Sequence, residues 1–170
     1  MDSHELMLME AACRRLAVAY GRFIDVYDDE GVVGLFTPDA VWQRPGQPPL
    51  VGHDAIRSFL ATRDRSTLMR HVMSNFIVTP VDASHARGLS YWTGYVALNH
   101  PPQTLAMPQA PFSVGEYHDE YVRGTNGWLI SSRSTHYIFR DRPRPTARAL
   151  PDFRPRSGWR AEMARMMGMK

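Results

Sequence analysis

Apolar residues first recur at helical spacing and then, past residue 68, at every second position. Met9, Ala12, Leu16, Tyr20, Phe23 and Tyr27 follow one another at steps of three and four, which predicts one buried face on a long opening helix. Asp2 followed by Glu5 has capping-box spacing and marks its start. Residues 30–36 predict a second, short helix, stopped by Thr37-Pro38-Asp39. Residues 40–44 predict a short strand around Trp42. After the Pro45-Gly46-Gln47-Pro48-Pro49 loop, Gly52-His53-Asp54 opens a third helix through Ile56, Phe59 and Leu60. Four long strands are predicted over 70–81, 86–98, 112–124 and 128–140. Thr125-Asn126-Gly127 carries a hairpin signal. Residues 99–111, with four prolines, are long enough for a lid over a pocket or a surface excursion.

Helices followed by a mostly antiparallel set of strands predict an α+β domain over residues 1–140. The long N-terminal helix and two short ones are expected to pack on a strongly curved, mixed sheet, giving a cone-shaped α+β barrel. Residues 141–170 form a separate Arg/Pro-rich extension, with a short helix predicted over 157–169. That extension is expected to pack on a neighbouring subunit, to cover the pocket mouth or to bind an acidic partner.

Composition narrows the function classes. A chain of 170 residues that is 44% hydrophobic has the apolar content of one folded domain rather than of a disordered segment. No basic segment precedes an apolar run at the N-terminus, and no apolar run of about 18 residues occurs, so neither a secretory signal nor a membrane span is expected. Cys13 is alone, which excludes an internal disulfide, suits a reducing, cytoplasmic setting and reads as a buried thiol in the first helix. The net charge of +3 is uneven: residues 141–170 hold eight basic against three acidic side chains, and the remaining 140 hold 12 against 14. A near-neutral body with a basic tail lacks the interleaved aromatics of a nucleic-acid module, so no nucleic-acid partner is expected.

Candidate chemistry centres on Asp25 and His71. Asp25 stands near the end of a helix whose apolar face is buried, and His71 opens an apolar strand pattern in Met69-Arg70-His71-Val72-Met73-Ser74-Asn75. Each is costly to bury alone and is least costly buried with the other. Together they make either a carboxylate-oriented general base or a structural ion pair. Tyr20, five positions before Asp25 and about 140° round the helix, borders the same cavity as a polar assistant. Alternation places Met73, Asn75 and Ile77 on the His71 side. On the next strand Tyr91, Thr93 and Tyr95 share one face and Trp92 and Val96 the other, with parity leaving open which face lines the cavity. Trp42, His118 and Arg133 are further candidate wall residues, and a mostly aromatic wall suits a polycyclic or otherwise bulky, partly apolar small molecule. The seven histidines show neither His-x-His nor His-Glu-x-x-His spacing, so a metal would need separate strands such as those of His118 and His136. P-loop, dinucleotide and Gly-x-Ser-x-Gly fingerprints are also missing. Neither metal nor cofactor is expected.

These motifs, in this order, resemble the SnoaL-like branch of the nuclear transport factor 2-like superfamily over roughly residues 5–140. The resemblance is carried by the helix end at residues 20–28, Leu35-Phe36-Thr37-Pro38-Asp39-Ala40, Gly52-His53-Asp54-Ala55-Ile56, Arg70-His71-Val72-Met73-Ser74-Asn75, Gly115-Glu116-Tyr117-His118-Asp119 and Gly127-Trp128-Leu129-Ile130-Ser131-Ser132-Arg133. It implies a cone-shaped fold with an interior pocket and assembly as a dimer or trimer. Within the branch the chain is similar to enzymes of the scytalone dehydratase, bile-acid dehydratase and hexachlorocyclohexane dehydrochlorinase type, cofactor-free lyases that use an Asp–His dyad. By that resemblance Asp25 and His71 are the dyad, Tyr20 matches a tyrosine of the bile-acid enzyme, and Asn75 matches an asparagine of the dehydrochlorinase. The reading it favours is a lyase or isomerase. A polyketide cyclase using the same base, and a non-catalytic binding or accessory subunit, are the alternatives.

Overall fold

The first helix, α1 (Ser3–Asp25), starts where the capping-box spacing puts it: the Asp2 carboxylate accepts the backbone N–H groups of His4 and Glu5, and Glu5 accepts that of Asp2, all at 2.8 Å. The computed structural model describes residues 1–98 and 111–141. The buried side of α1 is Met9, Cys13, Ala17, Tyr20, Gly21, Ile24 and Asp25, rotated from the predicted stripe so that Ala12, Leu16 and Phe23 lie at its margin. The physical reason is close approach: Cys13, Ala17 and Gly21 recur at one-turn steps, and small side chains let the helix lie near the sheet. Burial pushes the Cys13 thiol up to about 12, leaving a neutral filler group.

After α1 come α2 (Asp29–Val33), β1 (Phe36–Gln43), β2 (Leu50–Val51), α3 (Gly52–Ala61), β3 (Leu68–Pro80), β4 (His85–Ala97), β5 (Ser113–Gly124) and β6 (Gly127–Arg140). The second helix ends earlier than predicted and the first strand begins earlier, at Phe36. The two-residue β2 is too short to leave a periodic signal. One six-stranded sheet runs in the order β2-β1-β6-β5-β4-β3, with β1 parallel to β6 and all other neighbours antiparallel. The β5–β6 hairpin closes between Gly124 and Gly127 around Thr125-Asn126, and Gly127 takes the positive φ of 121°.

Register shifts interrupt β3 between Ser74 and Ile77, the β5–β6 ladder at Val114/Gly115 and again at Glu120/Tyr121, and β1 between Phe36 and Val41. Such bulges bend strands and increase their twist, so the sheet curves round α1, which packs chiefly on β3. The core between them joins Tyr20 and Ile24 of α1 to Phe36, Trp42, Ile56, Leu60, Trp92, Tyr117, Tyr121 and Ile130. This is the α+β, curved mixed-sheet architecture expected. Among the described residues no helix is long and apolar enough to cross a membrane. Most of the predicted lid segment and the helix predicted over 157–169 lie outside the described residues.

Candidate active site

Asp25 is the last residue of α1 and His71 the fourth of β3, the strand against which that helix packs. One carboxylate oxygen of Asp25 lies 2.7 Å from Nδ1 of His71, and the other accepts the His71 backbone N–H at 2.9 Å. An ionised carboxylate only accepts, so Nδ1 carries the proton and Nε2 of the neutral ring is left with a free lone pair. Nε2 has no hydrogen-bond partner among the described residues. The Asp25 and His71 side chains are 6% and 15% exposed, so the pair is shielded from bulk water.

Gly21 sets how closely helix and strand meet. It stands one turn before Asp25 on the same face, and a Cβ built there lies 3.1 Å from Cγ of Met73 and 3.5 Å from Cβ of His71. Gly21→Val should therefore lower stability by about 1–3 kcal/mol through overpacking, read as a lower urea midpoint at unchanged m-value.

Behind the dyad lies an aromatic nest with a buried charge pair at its centre. The Trp92 ring is 5.9 Å from the His71 ring and stacks on Tyr117, whose ring meets Tyr20 edge-on at 5.4 Å. Tyr20 also meets Phe36 and Trp42 edge-on, and Trp42 donates its indole N–H to Thr135. The Arg133 guanidinium sits between two rings, 4.1 Å from the centroid of Tyr20 and 4.2 Å from that of Tyr117. It grips Asp119 through Nε and one terminal nitrogen, both at 2.7 Å, and Tyr121 donates its hydroxyl to the same carboxylate at 2.8 Å. Burial pushes the Tyr20 hydroxyl up to about 12, and carries those of Tyr117 and Tyr121 well above the ordinary phenol range. Near neutral pH these are O–H donors, not bases.

The sequence candidates thus divide. His71, Asp25, Met73, Trp92, Tyr20, Trp42 and Arg133 face the helix-covered side of the sheet. Tyr91 and His118 are corrections: Tyr91 pairs with Glu116 and His118 with Ser134 in the opposite parity from Trp92 and Tyr117, which points both away from the dyad. On that outer face His118 pairs with Glu116 at 2.9 Å and its ring lies 4.5 Å from that of His136. Asn75 is a third correction. It is exposed, with a left-handed φ of 49°, inside the Ser74/Ile77 bulge, whose extra residue breaks the alternation that was to place it and Ile77 beside His71. Among the described residues no group of three or more histidine, cysteine or acidic side chains is arranged to hold a metal. Tyr117 and Asp119 were not singled out from sequence, although Asp119 alternates with three buried aromatic and glycine positions, Gly115, Tyr117 and Tyr121, and so demanded a cation.

A bent mixed sheet folded over one long helix defines a cystatin-like α+β fold. More specifically, residues 5–134 match the SnoaL-like domain model, and the chain belongs to that family. Among solved structures it is similar to a protein of Novosphingobium aromaticivorans provisionally named scytalone dehydratase (20% identity, TM-score 0.72, covering 91% of this chain and 99% of that one). It is also similar to LinA (17%, 0.67, 82% and 92%) and to ActVI-ORFA of Streptomyces coelicolor (21%, 0.63, 75% and 96%). At these identities the likeness is one of fold. No curated protein matches the chain in sequence.

Proposed function

We propose that this chain is a cofactor-independent lyase or isomerase that removes a proton next to a carbonyl in a bulky, partly apolar small molecule. The observation that carries the reading is the double grip of Asp25 on His71, which orients the ring by its backbone and by Nδ1 and leaves Nε2 as the acceptor. Nε2 takes the α-proton, and Asp25 stabilises the imidazolium that forms. The C–H electron pair becomes the new C=C bond as the β C–O bond breaks, and the departing hydroxide takes the proton from the imidazolium, leaving as water and returning His71 to its neutral form. The balance closes without an electron carrier. Tyr20, held neutral, is the polar assistant, one ring removed from the dyad's neighbour Trp92 through Tyr117. Trp92 and Met73, beside His71, give the pair an apolar setting suited to fused or aromatic rings. Cytoplasmic placement and oligomeric assembly belong to the same proposal.

Ring closure by the resulting enolate, as in a polyketide cyclase, would use the same base, and the product structure separates it from elimination. The direct test incubates the chain in D2O with a panel of cyclic β-hydroxy ketones. Deuterium should enter the α-carbon of recovered substrate, or dehydrated product should accumulate, faster than in buffer. Binding of panel members with neither exchange nor product would establish a binding protein and discard the proposed base.

A further inference from the structure

We infer that two copies of this chain pair through α1, antiparallel and about a two-fold axis beside residue 10. The ground is an open groove of about 580 Å³ far from the dyad, lined on one side by Met1, Glu5, Leu8, Ala12, Arg15 and Ala19 and on the other by the turns holding Ala83, Arg123 and Trp128. Leu8 lies roughly 25 Å along the helix from Asp25, so this surface is separate from the dyad and its chemistry.

The helix side of the groove, from Glu5 to Ala19, is a seam with steps of three, four, three and four, the spacing with which one helix packs along another. It is also its own reverse. Helical positions equidistant from residue 10 pair Glu5 with Arg15 and Leu8 with Ala12. An antiparallel second copy therefore meets opposite charges at both ends and a large side chain against a small one in both central layers. The free molecule leaves these groups waiting: Leu8 is 56% exposed, and the Arg15 side chain has no hydrogen-bond or ion-pair partner among the described residues. Glu5 uses one carboxylate oxygen on the Asp2 cap, which leaves the other to meet a guanidinium. The chain's own residues 142–170 do not suit this groove, since eight basic side chains there would face Arg15 and Arg123. A small amphiphile would leave the symmetric order of charges without a reason.

The test is sedimentation of the full chain and its charge-reversed variants. The wild type should self-associate as a dimer, and Arg15→Glu, which sets two like-charged pairs in the interface, should weaken the dimer about tenfold or more. Glu5→Arg should do the same, and mixing the two variants should give a heterodimer in which both pairs are again opposite. Leu8→Lys, at an exposed position that keeps the helix, should sediment as a monomer. A wild type that stays monomeric, an oligomer indifferent to Arg15→Glu and Leu8→Lys (one held by the outer sheet face, for instance), or variants that do not recombine on mixing would each overturn the pairing.

Discussion

Arg133→Met should unfold about 3–5 kcal/mol more easily than the wild type in urea, because it leaves a buried carboxylate without its cation. Arg133 is fully buried and Asp119 is 3% exposed, and the two are joined by paired hydrogen bonds of 2.7 Å. With the guanidinium gone, Tyr121 is the side-chain donor left to Asp119. Tyr20 and Tyr117 also lose the cation between their rings, so part of the loss is packing. The double variant Arg133→Met/Asp119→Leu should recover much of the stability, since a buried ion pair is worth little more than apolar groups of similar volume while half of one is costly. A single variant within 1 kcal/mol of the wild type would show that water reaches Asp119 and that the nest is not a dry core.

The long strands and the opening helix were legible because their signals are cumulative: 12 to 14 residues of alternation and a complete capping box outweigh any single residue. The contact between Asp25 and His71 was legible for a different reason, that two costly polar groups on apolar elements have few places to go except to each other. Parity was harder. Tyr91 and Trp92 look equally suited to line a pocket, yet the glycines decide between them. A Cβ at Gly115 would lie 2.6 Å from the Trp92 ring, and one at Gly88 would lie 2.5 Å from that of Tyr121. Glycine in a strand marks close approach, so the face that carries Gly88 and Gly94 is the crowded inner one, and Trp92 shares it. Asn75 was misplaced because a bulge changes the face of every residue beyond it, and nothing in Ser74-Asn75-Phe76 announces the inserted residue.

The sharpest discriminator of base from structural ion pair is Asp25→Asn, which keeps the size and removes the charge. Asp25 now accepts from two donors of one residue, the His71 backbone N–H and Nδ1–H. An amide offers one oxygen and an NH2 group, so it can satisfy the backbone N–H and must then present a donor to Nδ1. The ring answers by moving its proton to Nε2, the nitrogen proposed to accept the substrate proton, and the imidazolium loses its counter-charge as well. Turnover of any substrate found in the panel should fall by about 10²–10⁴, the scale expected when a positioned base is lost. His71→Gln should lose as much, and the two changes combined should cost little more than either alone, because they disable one unit. The ring nitrogen signals of isotopically labelled protein supply the independent readout: the proton should reside on Nδ1 in the wild type and on Nε2 in Asp25→Asn. A shifted tautomer with undiminished turnover would leave the pair a structural contact and place the chemistry elsewhere in the cone.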